Sequence, residues 1–246
     1  MLAPLRAARQ HAGVLSDFDG TLSPIVDDPA TAAPLEGVSE LLGSLAETYG
    51  LVALLSGRPV AFLQPHVPPS VVLSGLYGLE VVVDGRRTDH PAAGAWRSVV
   101  DDVVAVSRAA GPEGMRVESK GLSLTLHFRG RPDIEPMVRA WAQEQTSRSG
   151  LVLRSARMSF ELHPPIAVDK GTALRDLTDG LHAICFIGDD FGDLPAFDQL
   201  DLLQASGVST VRVAVRSDES PAELLERADI VVDGPAGAAD LLRALL

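Results

Sequence analysis

Cysteine is nearly absent from this sequence, since Cys185 is the only one among 246 residues. No disulfide can therefore form within the chain. Cys185 lies in the apolar segment 183–187, which is typical of a buried strand. A buried thiol stays protonated and unreactive, so we interpret Cys185 as a core residue and not as a nucleophile.

Basic residues are also scarce. The chain carries 21 Lys and Arg against 33 Asp and Glu, which gives a formal net charge of −12. Surfaces that bind nucleic acid or anionic membranes need clustered Lys and Arg, so the sequence predicts neither kind of partner. A small anionic substrate, held by a few local cations and a metal ion, remains compatible with this charge.

Long apolar runs are missing as well. No uninterrupted run approaches the ~20 residues that span a bilayer. Residues 1–13 include Arg6, Arg9 and His11 but lack the apolar stretch of a signal peptide. We therefore expect a cytoplasmic protein, with a monomer as the working expectation.

What is present is an ordinary globular composition, 46% hydrophobic and 22% charged. Short apolar runs are separated by helical patterns such as 35–49, which follows Pro34 and is expected to end at a Gly50 cap. The predicted strands are 13–15, 51–55, 71–73, 79–83, 184–187, 211–215 and 230–232. This alternation predicts an α/β fold with a Rossmann-like parallel sheet, whose functional site lies at the carboxyl ends of the strands.

Two local signals add detail to this pattern. Asp84-Gly85 follows the run 79–83 and predicts a hairpin. Ser220-Pro221-Ala222-Glu223 has the spacing of a capping box and predicts the start of a short helix.

The pattern changes in the middle of the chain. Helices are predicted at 96–110 and from Pro132 to near Gly150, and each is followed by two short strands. The predicted strands are 115–117, 122–128, 151–153 and 159–162. This αββαββ order indicates an α+β cap at 93–168, inserted into a core formed by 1–92 and 169–246.

Several candidate catalytic and metal-binding residues follow the first predicted strand directly. Asp17 and Asp19 are two residues apart, so their carboxylates can converge on one site at the strand's end. Gly20 permits a sharp turn, and Thr21 adds a hydroxyl. Two carboxylates, a hydroxyl and backbone donors suit a hard metal ion and a phosphoryl group. The alternative is an acidic turn that only closes the strand.

Three further signals follow later strands or precede a helix. Ser56-Gly57-Arg58 could be a plain turn, and Gly188-Asp189-Asp190 could cap a helix. Lys170 at a helix start opposes the helix dipole, which suggests a compensating anion. Together with Asp193, these groups predict a carboxylate cluster, a hydroxyl and a cation at one edge of the sheet.

The order of these motifs resembles that of haloacid-dehalogenase-like phosphohydrolases, and more narrowly that of trehalose-6-phosphate phosphatases. The matching pieces are Asp17-Phe18-Asp19-Gly20-Thr21-Leu22-Ser23-Pro24-Ile25, Leu55-Ser56-Gly57-Arg58, Gly75-Leu76-Tyr77-Gly78-Leu79-Glu80, Glu118-Ser119-Lys120-Gly121-Leu122-Ser123-Leu124, His127-Phe128-Arg129, Glu161-Leu162-His163-Pro164 and Gly188-Asp189-Asp190. The resemblance covers residues 14–200, with three departures from the usual pattern. Tyr77 replaces a His, His163 an Arg, and Gly192 lies in a fourth motif that lacks the usual Thr and Glu.

The resemblance implies a role for each matching residue in the core. Asp17 would attack phosphorus and form an aspartyl-phosphate, and Asp19 would protonate the leaving oxygen and then activate water. The groups that would hold the phosphoryl oxygens are Thr21, Ser56 and Lys170, with Arg58 on the substrate. A Mg²⁺ ion would be bound by Asp17, the Asp19 carbonyl and Asp189, supported by Asp190 and Asp193.

In the cap, the resemblance implies contacts to the sugar from Glu118, Lys120 and Glu161, and contacts to the phosphate from Arg129 and Arg157. The alternative for Glu118 and Lys120 is an exposed ion pair that contributes little. The expected function is Mg²⁺-dependent hydrolysis of trehalose 6-phosphate. The alternatives are a phosphatase for another sugar phosphate, of the sucrose or mannosylglycerate type, and a non-catalytic sugar-phosphate sensor.

Overall fold

A computed structural model describes residues 1–26, 28–156, 158–218 and 220–246. The chain forms two compact units. The first comprises Met1–Thr88 and Val168–Leu246, and the second comprises Asp89–Ala167. The second unit is thus an insertion between two halves of the first.

The strands and helices follow one another along the chain with short connections. The strands are β1 (Ala12–Ser16), β2 (Leu51–Leu55), β3 (Val72–Gly75), β4 (Glu80–Val83), β5 (Arg86–Asp89), β6 (Arg116–Ser119), β7 (Leu124–His127), β8 (Val152–Ala156), β9 (Ser159–His163), β10 (Ala183–Gly188), β11 (Ser209–Arg216) and β12 (Ile230–Asp233). The α-helices are α1 (Ala3–Ala7), α2 (Val38–Thr48), α3 (Val60–Leu63), α4 (Arg97–Ala110), α5 (Glu135–Ser149), α6 (Lys170–Leu177), α7 (Leu194–Ala205), α8 (Ala222–Arg227) and α9 (Gly234–Arg243).

The first unit is built on one sheet of eight strands, in the order β12-β11-β10-β1-β2-β3-β4-β5. The neighbours from β12 to β3 are parallel, and β4 is antiparallel to β3. Apolar clusters cover both faces, which explains why β1 and β10 are buried along their whole length. The predicted Rossmann-like α/β core is confirmed.

Strand order determines where a site can form. β1 lies between β10 and β2, with Ser16 opposite Ile187 on one side and Leu54 on the other. The carboxyl ends of these three strands therefore meet at one edge of the sheet. In open parallel sheets this edge is where ligands bind.

The hairpin prediction is confirmed. β4 and β5 are neighbours in the sheet, and the two residues between them, Asp84 and Gly85, have φ of 50° and 73°. Positive φ at both central positions is the geometry of a type I′ turn. Glycine adopts it without cost, and Asp is among the residues that tolerate it.

Two capping predictions were wrong. α2 begins at Val38 rather than residue 35 and ends at an extended Tyr49, so Gly50 is not its cap. A Cβ on Gly50 would lie 2.3 Å from the Gln10 carbonyl oxygen, so glycine is needed there for close backbone approach. Ser220 does not cap α8 either, because Pro221 occupies the N-cap position and the Ser220 hydroxyl instead accepts the Ser217 amide and donates to the Val215 carbonyl.

The second unit contains the predicted αββαββ order. Its antiparallel sheet has the strand order β6-β7-β9-β8. Leu124, Leu126, Phe160 and Leu162 on one sheet face pack with buried residues of α4 and α5. The helix α5 ends at Gly150, whose φ of 77° fits the predicted stop.

Within the described ranges, no helix has both the length and the apolar character that crossing a membrane requires.

Candidate active site

The first strand leads directly into the site. The Asp17 amide donates to the Ile187 carbonyl at 2.8 Å, so the sheet ladder continues one residue past β1 and fixes the Asp17 backbone. The carboxylate of Asp17 is buried at the carboxyl edge of the sheet, and its residue is only 4% exposed. A charge in this position requires a nearby partner.

Gly20 closes the turn that follows. Its φ is 83°, and a Cβ there would lie 2.1 Å from a carboxylate oxygen of Asp189. Glycine is therefore needed both for the backbone conformation and for space. The neighbouring Thr21 hydroxyl donates to Asp189 Oδ1 at 3.2 Å, so the first strand's turn is tied to the end of β10.

Lys170 is the cation at the centre of the site. Its Nζ lies 2.6 Å from Asp17 Oδ1 and 2.6 Å from Asp193 Oδ1, and all three side chains are buried. Lys170 is the first residue of α6, where its charge opposes the helix dipole. The two carboxylates supply the compensating anions predicted from the sequence, and Asp169 caps the helix through the Thr172 amide.

Burial and charge act in opposite directions on these groups. Burial raises the pKa of Asp17, and the carboxylates of Asp193, Asp189 and Asp190 raise it further, whereas Lys170 lowers it. Burial alone would lower the pKa of Lys170, but the carboxylates outweigh it and raise that pKa well above its ordinary value. Lys170 is therefore charged throughout the physiological range, which suits it to bind an anion.

Asp193 organises the loop after β10. Its Oδ2 accepts the amides of Asp189 at 2.8 Å and Asp190 at 3.0 Å, while its Oδ1 binds Lys170. A Cβ on Gly188 would lie 2.3 Å from the Asp193 carboxylate carbon, so only glycine allows this packing. The carboxylate of Asp193 thereby positions both the loop and Lys170.

Three of the predicted metal residues come together. Asp17, Asp189 and Asp193 each offer a carboxylate oxygen, and these oxygens all lie within 4.8 Å of one another. A compact set of buried carboxylate oxygens is the donor type that hard divalent cations such as Mg²⁺ prefer. The donor set therefore fits such an ion. The carboxylate of Asp190 accepts the Gly192 amide at 2.8 Å.

Asp19 and Arg58 form a second, partly buried pair. Arg58 Nε and Nη2 each donate to a different Asp19 oxygen at 2.8 Å, and Nη1 donates to the Pro29 carbonyl. The guanidinium also stacks over Phe62, 4.4 Å from the ring centroid. A bidentate pair supported in this way fixes the orientation of the carboxylate. Arg58 therefore contacts Asp19, the residue for which the resemblance implies an acid–base role, and the sequence did not indicate this contact.

A strained segment supports Ser56. Leu76 and Tyr77 both have positive φ, 50° and 59°, which is unusual for side chains of this size. The Tyr77 amide donates to the Ser56 carbonyl, and the Leu76 amide donates to the Arg58 carbonyl. The Ser56 hydroxyl in turn accepts the Arg58 amide at 3.1 Å. Strain of this kind persists where the surrounding structure enforces it, frequently at functional sites.

The second unit has its own polar cluster. Glu161 is buried, accepts the Ser123 hydroxyl at 2.8 Å and lies 3.7 Å from Lys120 Nζ. Glu118 Oε2 lies 2.7 Å from His127 Nε2 on the neighbouring strand. These contacts add Ser123 and His127 to the predicted set. Period-two alternation from Ser123 to His127 could have placed them on one face.

Two basic residues of this unit, Arg129 and Arg157, were predicted to contact the phosphate, and the structure describes only the first of them. Arg129 lies half-buried in the turn that follows β7. Arg157 lies outside the described residues.

Replacing Arg58 should expose its role in orienting Asp19. Arg58→Lys keeps the charge but cannot make the bidentate contact. We expect kcat/KM for a sugar phosphate to fall about 10- to 100-fold, because misplacement of a proton donor by an ångström has effects of this size. An activated aryl phosphate, which needs less protonation of its leaving group, should lose less.

The control is Asp19→Asn, which should show the same dependence on the leaving group. Equal losses on both substrates in Arg58→Lys would instead favour a direct contact between Arg58 and the substrate, as the sequence predicted.

Comparison with known proteins identifies the family. A sequence model of the family described as trehalose-phosphatase matches residues 15–228. The chain belongs to the trehalose-phosphatase family. This confirms the resemblance inferred from the motifs, and the matched range includes every residue of the carboxylate cluster.

Curated relatives in this family extend beyond the aligned region. The chain is 36% identical to the trehalose-phosphate phosphatase of Mycobacterium ulcerans over 222 residues, covering 84% of this chain and 54% of the relative. It is 35% identical to the trehalose-phosphate phosphatase of Mycobacterium leprae over 221 residues, covering 83% of this chain and 51% of that relative. The chain thus spans about half the length of these relatives.

Solved structures show the same fold. A trehalose-6-phosphate phosphatase related protein superposes with a TM-score of 0.80 at 23% identity, covering 95% of this chain and 96% of that one. A haloacid dehalogenase-like hydrolase from Bacteroides thetaiotaomicron superposes with a TM-score of 0.67 at 14% identity, covering 96% of this chain and 100% of that one. The C-terminal domain of a Candida albicans trehalose synthase regulatory protein superposes with a TM-score of 0.68 at 14% identity, covering 98% of this chain and 95% of that one.

Proposed function

We propose that this chain is a magnesium-dependent phosphatase that hydrolyses trehalose 6-phosphate to trehalose and phosphate, as a step of trehalose biosynthesis. The observation that carries the proposal is the buried Asp17 carboxylate, paired with Lys170 at the end of the central strand. Binding alone needs no buried nucleophile at this position. The names of the curated relatives support the choice of substrate.

Asp17 is the nucleophile in this proposal. One of its carboxylate oxygens attacks phosphorus while the bond from phosphorus to the sugar oxygen breaks, which leaves an aspartyl-phosphate. Lys170 holds the attacking carboxylate, and its charge, with the hydroxyls of Thr21 and Ser56, binds the phosphoryl oxygens. Water then attacks phosphorus while the bond from phosphorus to the Asp17 oxygen breaks, which releases inorganic phosphate and restores Asp17.

Asp19 transfers the protons. As an acid it protonates the departing sugar oxygen, and as a base it then takes a proton from the attacking water. Arg58 orients the carboxylate through its bidentate contact. The same residue can serve both half-reactions because the first leaves it deprotonated.

Magnesium fits the carboxylate cluster. Asp17 and Asp189 would hold it with the backbone carbonyl of Asp19, and Asp190 and Asp193 would support them from nearby. When bound, the ion would offset the charge that the carboxylates and the substrate phosphate bring together.

The inserted segment 93–168 is proposed to select the sugar. Glu118, Lys120 and Glu161 supply charged donors and acceptors on its sheet, where Glu161 is already buried and hydrogen-bonded. Basic groups at Arg129 and Arg157 would help to secure the phosphate.

A sugar-phosphate sensor is the second candidate function. It is favoured by the shared fold of the Candida albicans regulatory domain. Retention of Asp17, Asp19, Lys170 and Asp189 favours the enzyme, because a sensor has no need of a nucleophile and a proton donor.

Phosphate release from a panel of sugar phosphates tests the proposal. The panel contains trehalose 6-phosphate, sucrose 6-phosphate, a mannosylglycerate-type phosphate and glucose 6-phosphate, each with and without Mg²⁺. We expect the highest kcat/KM for trehalose 6-phosphate with Mg²⁺. A preference for another member would assign a different substrate, and binding without turnover would support the sensor.

A further inference from the structure

The sheet of the second unit has one polar face whose central residues are buried. In the antiparallel register Thr125 lies opposite Glu161, and His163 is two residues further along β9 on the same face. Thr125 is 3% exposed, Glu161 2% and His163 4%. The opposite face carries the leucines and Phe160 that pack with the helices. This face therefore buries groups that a packed core would exclude.

Two of these buried groups have no hydrogen-bond partner among the residues that the structure describes. They are the Thr125 hydroxyl oxygen and the Nε2 nitrogen of His163. An unsatisfied buried polar atom is destabilising, so such atoms are rare in a well-packed interior unless something else pairs with them. Glu161 between them is satisfied by Ser123, with Lys120 close by.

The chemistry of the two atoms indicates what would pair with them. Burial and the Arg154 charge lower the pKa of His163 to about 4, although Glu161 and the Pro164 backbone raise it in part. The ring is therefore neutral at pH 7, and one of its nitrogens accepts while the other donates. A hydroxyl group both donates and accepts, so it can satisfy Nε2 in either tautomer, and it can satisfy the Thr125 hydroxyl as well.

We infer that Thr125 and His163 determine specificity by binding hydroxyl groups of a polyhydroxylated ligand on this sheet face. The inference rests on the proposed function, since the ligand is then the sugar part of trehalose 6-phosphate. It adds two neutral groups to the charged residues Glu118, Lys120 and Glu161. Neutral groups favour hydroxyls over a second phosphate or a carboxylate, which the basic residues alone would also accept.

Isosteric substitutions test each atom separately. Thr125→Val removes the hydroxyl and keeps the shape. His163→Asn removes the Nε2 position, whereas His163→Gln places an amide group near it. Thr210→Val is the matched control, because the Thr210 hydroxyl is also buried and has no partner in the described part of the chain, but belongs to β11 of the first unit. Thermal melts establish that each variant folds.

The readout is the ratio of kcat/KM for trehalose 6-phosphate to that for p-nitrophenyl phosphate, together with inhibition by trehalose. We expect Thr125→Val and His163→Asn to lower this ratio about 10- to 100-fold and to weaken trehalose inhibition. His163→Gln should retain the ratio within about threefold, and Thr210→Val should not change it.

Two outcomes would overturn the inference, and they differ. If wild-type protein hydrolyses trehalose 6-phosphate but the folded variants keep its ratio, the two atoms pair with water and only this inference fails. If wild-type protein hydrolyses the aryl phosphate but not trehalose 6-phosphate, the proposed substrate fails and the inference falls with it.

Discussion

Asp17→Asn should abolish phosphate release and prevent any phosphoenzyme from forming. An amide is not a nucleophile, and the uncatalysed hydrolysis of phosphate monoesters is among the slowest of biological reactions. We expect a loss of at least about 10⁴-fold in kcat. The measurement is phosphate release from trehalose 6-phosphate, with acid-quench trapping of the phosphoenzyme.

The variant should fold, because Asp17 and Asp193 share the Lys170 ammonium group and the substitution removes one negative charge from a cluster of three neighbouring carboxylates. The matched control is Asp101→Asn, the same substitution on the exposed surface of α4, which should keep full activity. A normal amount of phosphoenzyme in Asp17→Asn would assign the nucleophile elsewhere.

Removal of divalent metal should have an effect of similar size. In the cluster of Asp17, Asp189 and Asp193, Lys170 pairs with Asp17 and Asp193, and a substrate phosphate adds further negative charge. Without a metal ion the carboxylates repel the phosphate, so excess chelator should abolish turnover and added Mg²⁺ should restore it.

A second readout separates binding from catalysis. Mg²⁺ should raise the melting temperature of the wild-type protein, because an ion that binds the folded state stabilises it. The shift should be much smaller in Asp189→Asn, which lacks one ligand. Full turnover in chelator, with no metal detected by elemental analysis, would refute the assignment.

Much of the core could be predicted because its strands are parallel and buried on both faces. Such strands appear in the sequence as continuous apolar runs, and polar side chains that directly follow them converge at one edge of the sheet. Asp17, Ser56 and Asp189 follow β1, β2 and β10 in this way, and these three strands are neighbours.

The pairings between side chains could not be predicted in the same way. The contact between Arg58 and Asp19 was not predicted, because a pair 39 residues apart is not visible in a local pattern. Gly50 has the position of a helix cap, but its identity is set by a backbone contact with Gln10. The partners Ser123 and His127 depend on strand register, which the sequence pattern did not specify.

The position of β1 between β2 and β10 has a consequence for how the protein folds during synthesis. Asp17 and its partner Lys170 are 153 residues apart, and the whole second unit is inserted between them. The first half of the core can pair β1 with β2 early, but the other edge of β1 stays open until β10 emerges from the ribosome. Contacts of such long sequence separation form slowly, and an unpaired strand edge can recruit other chains. Nascent chains that stall before residue 183 should therefore depend on chaperones. The inserted unit has its own core, so it can fold before β10 is synthesised.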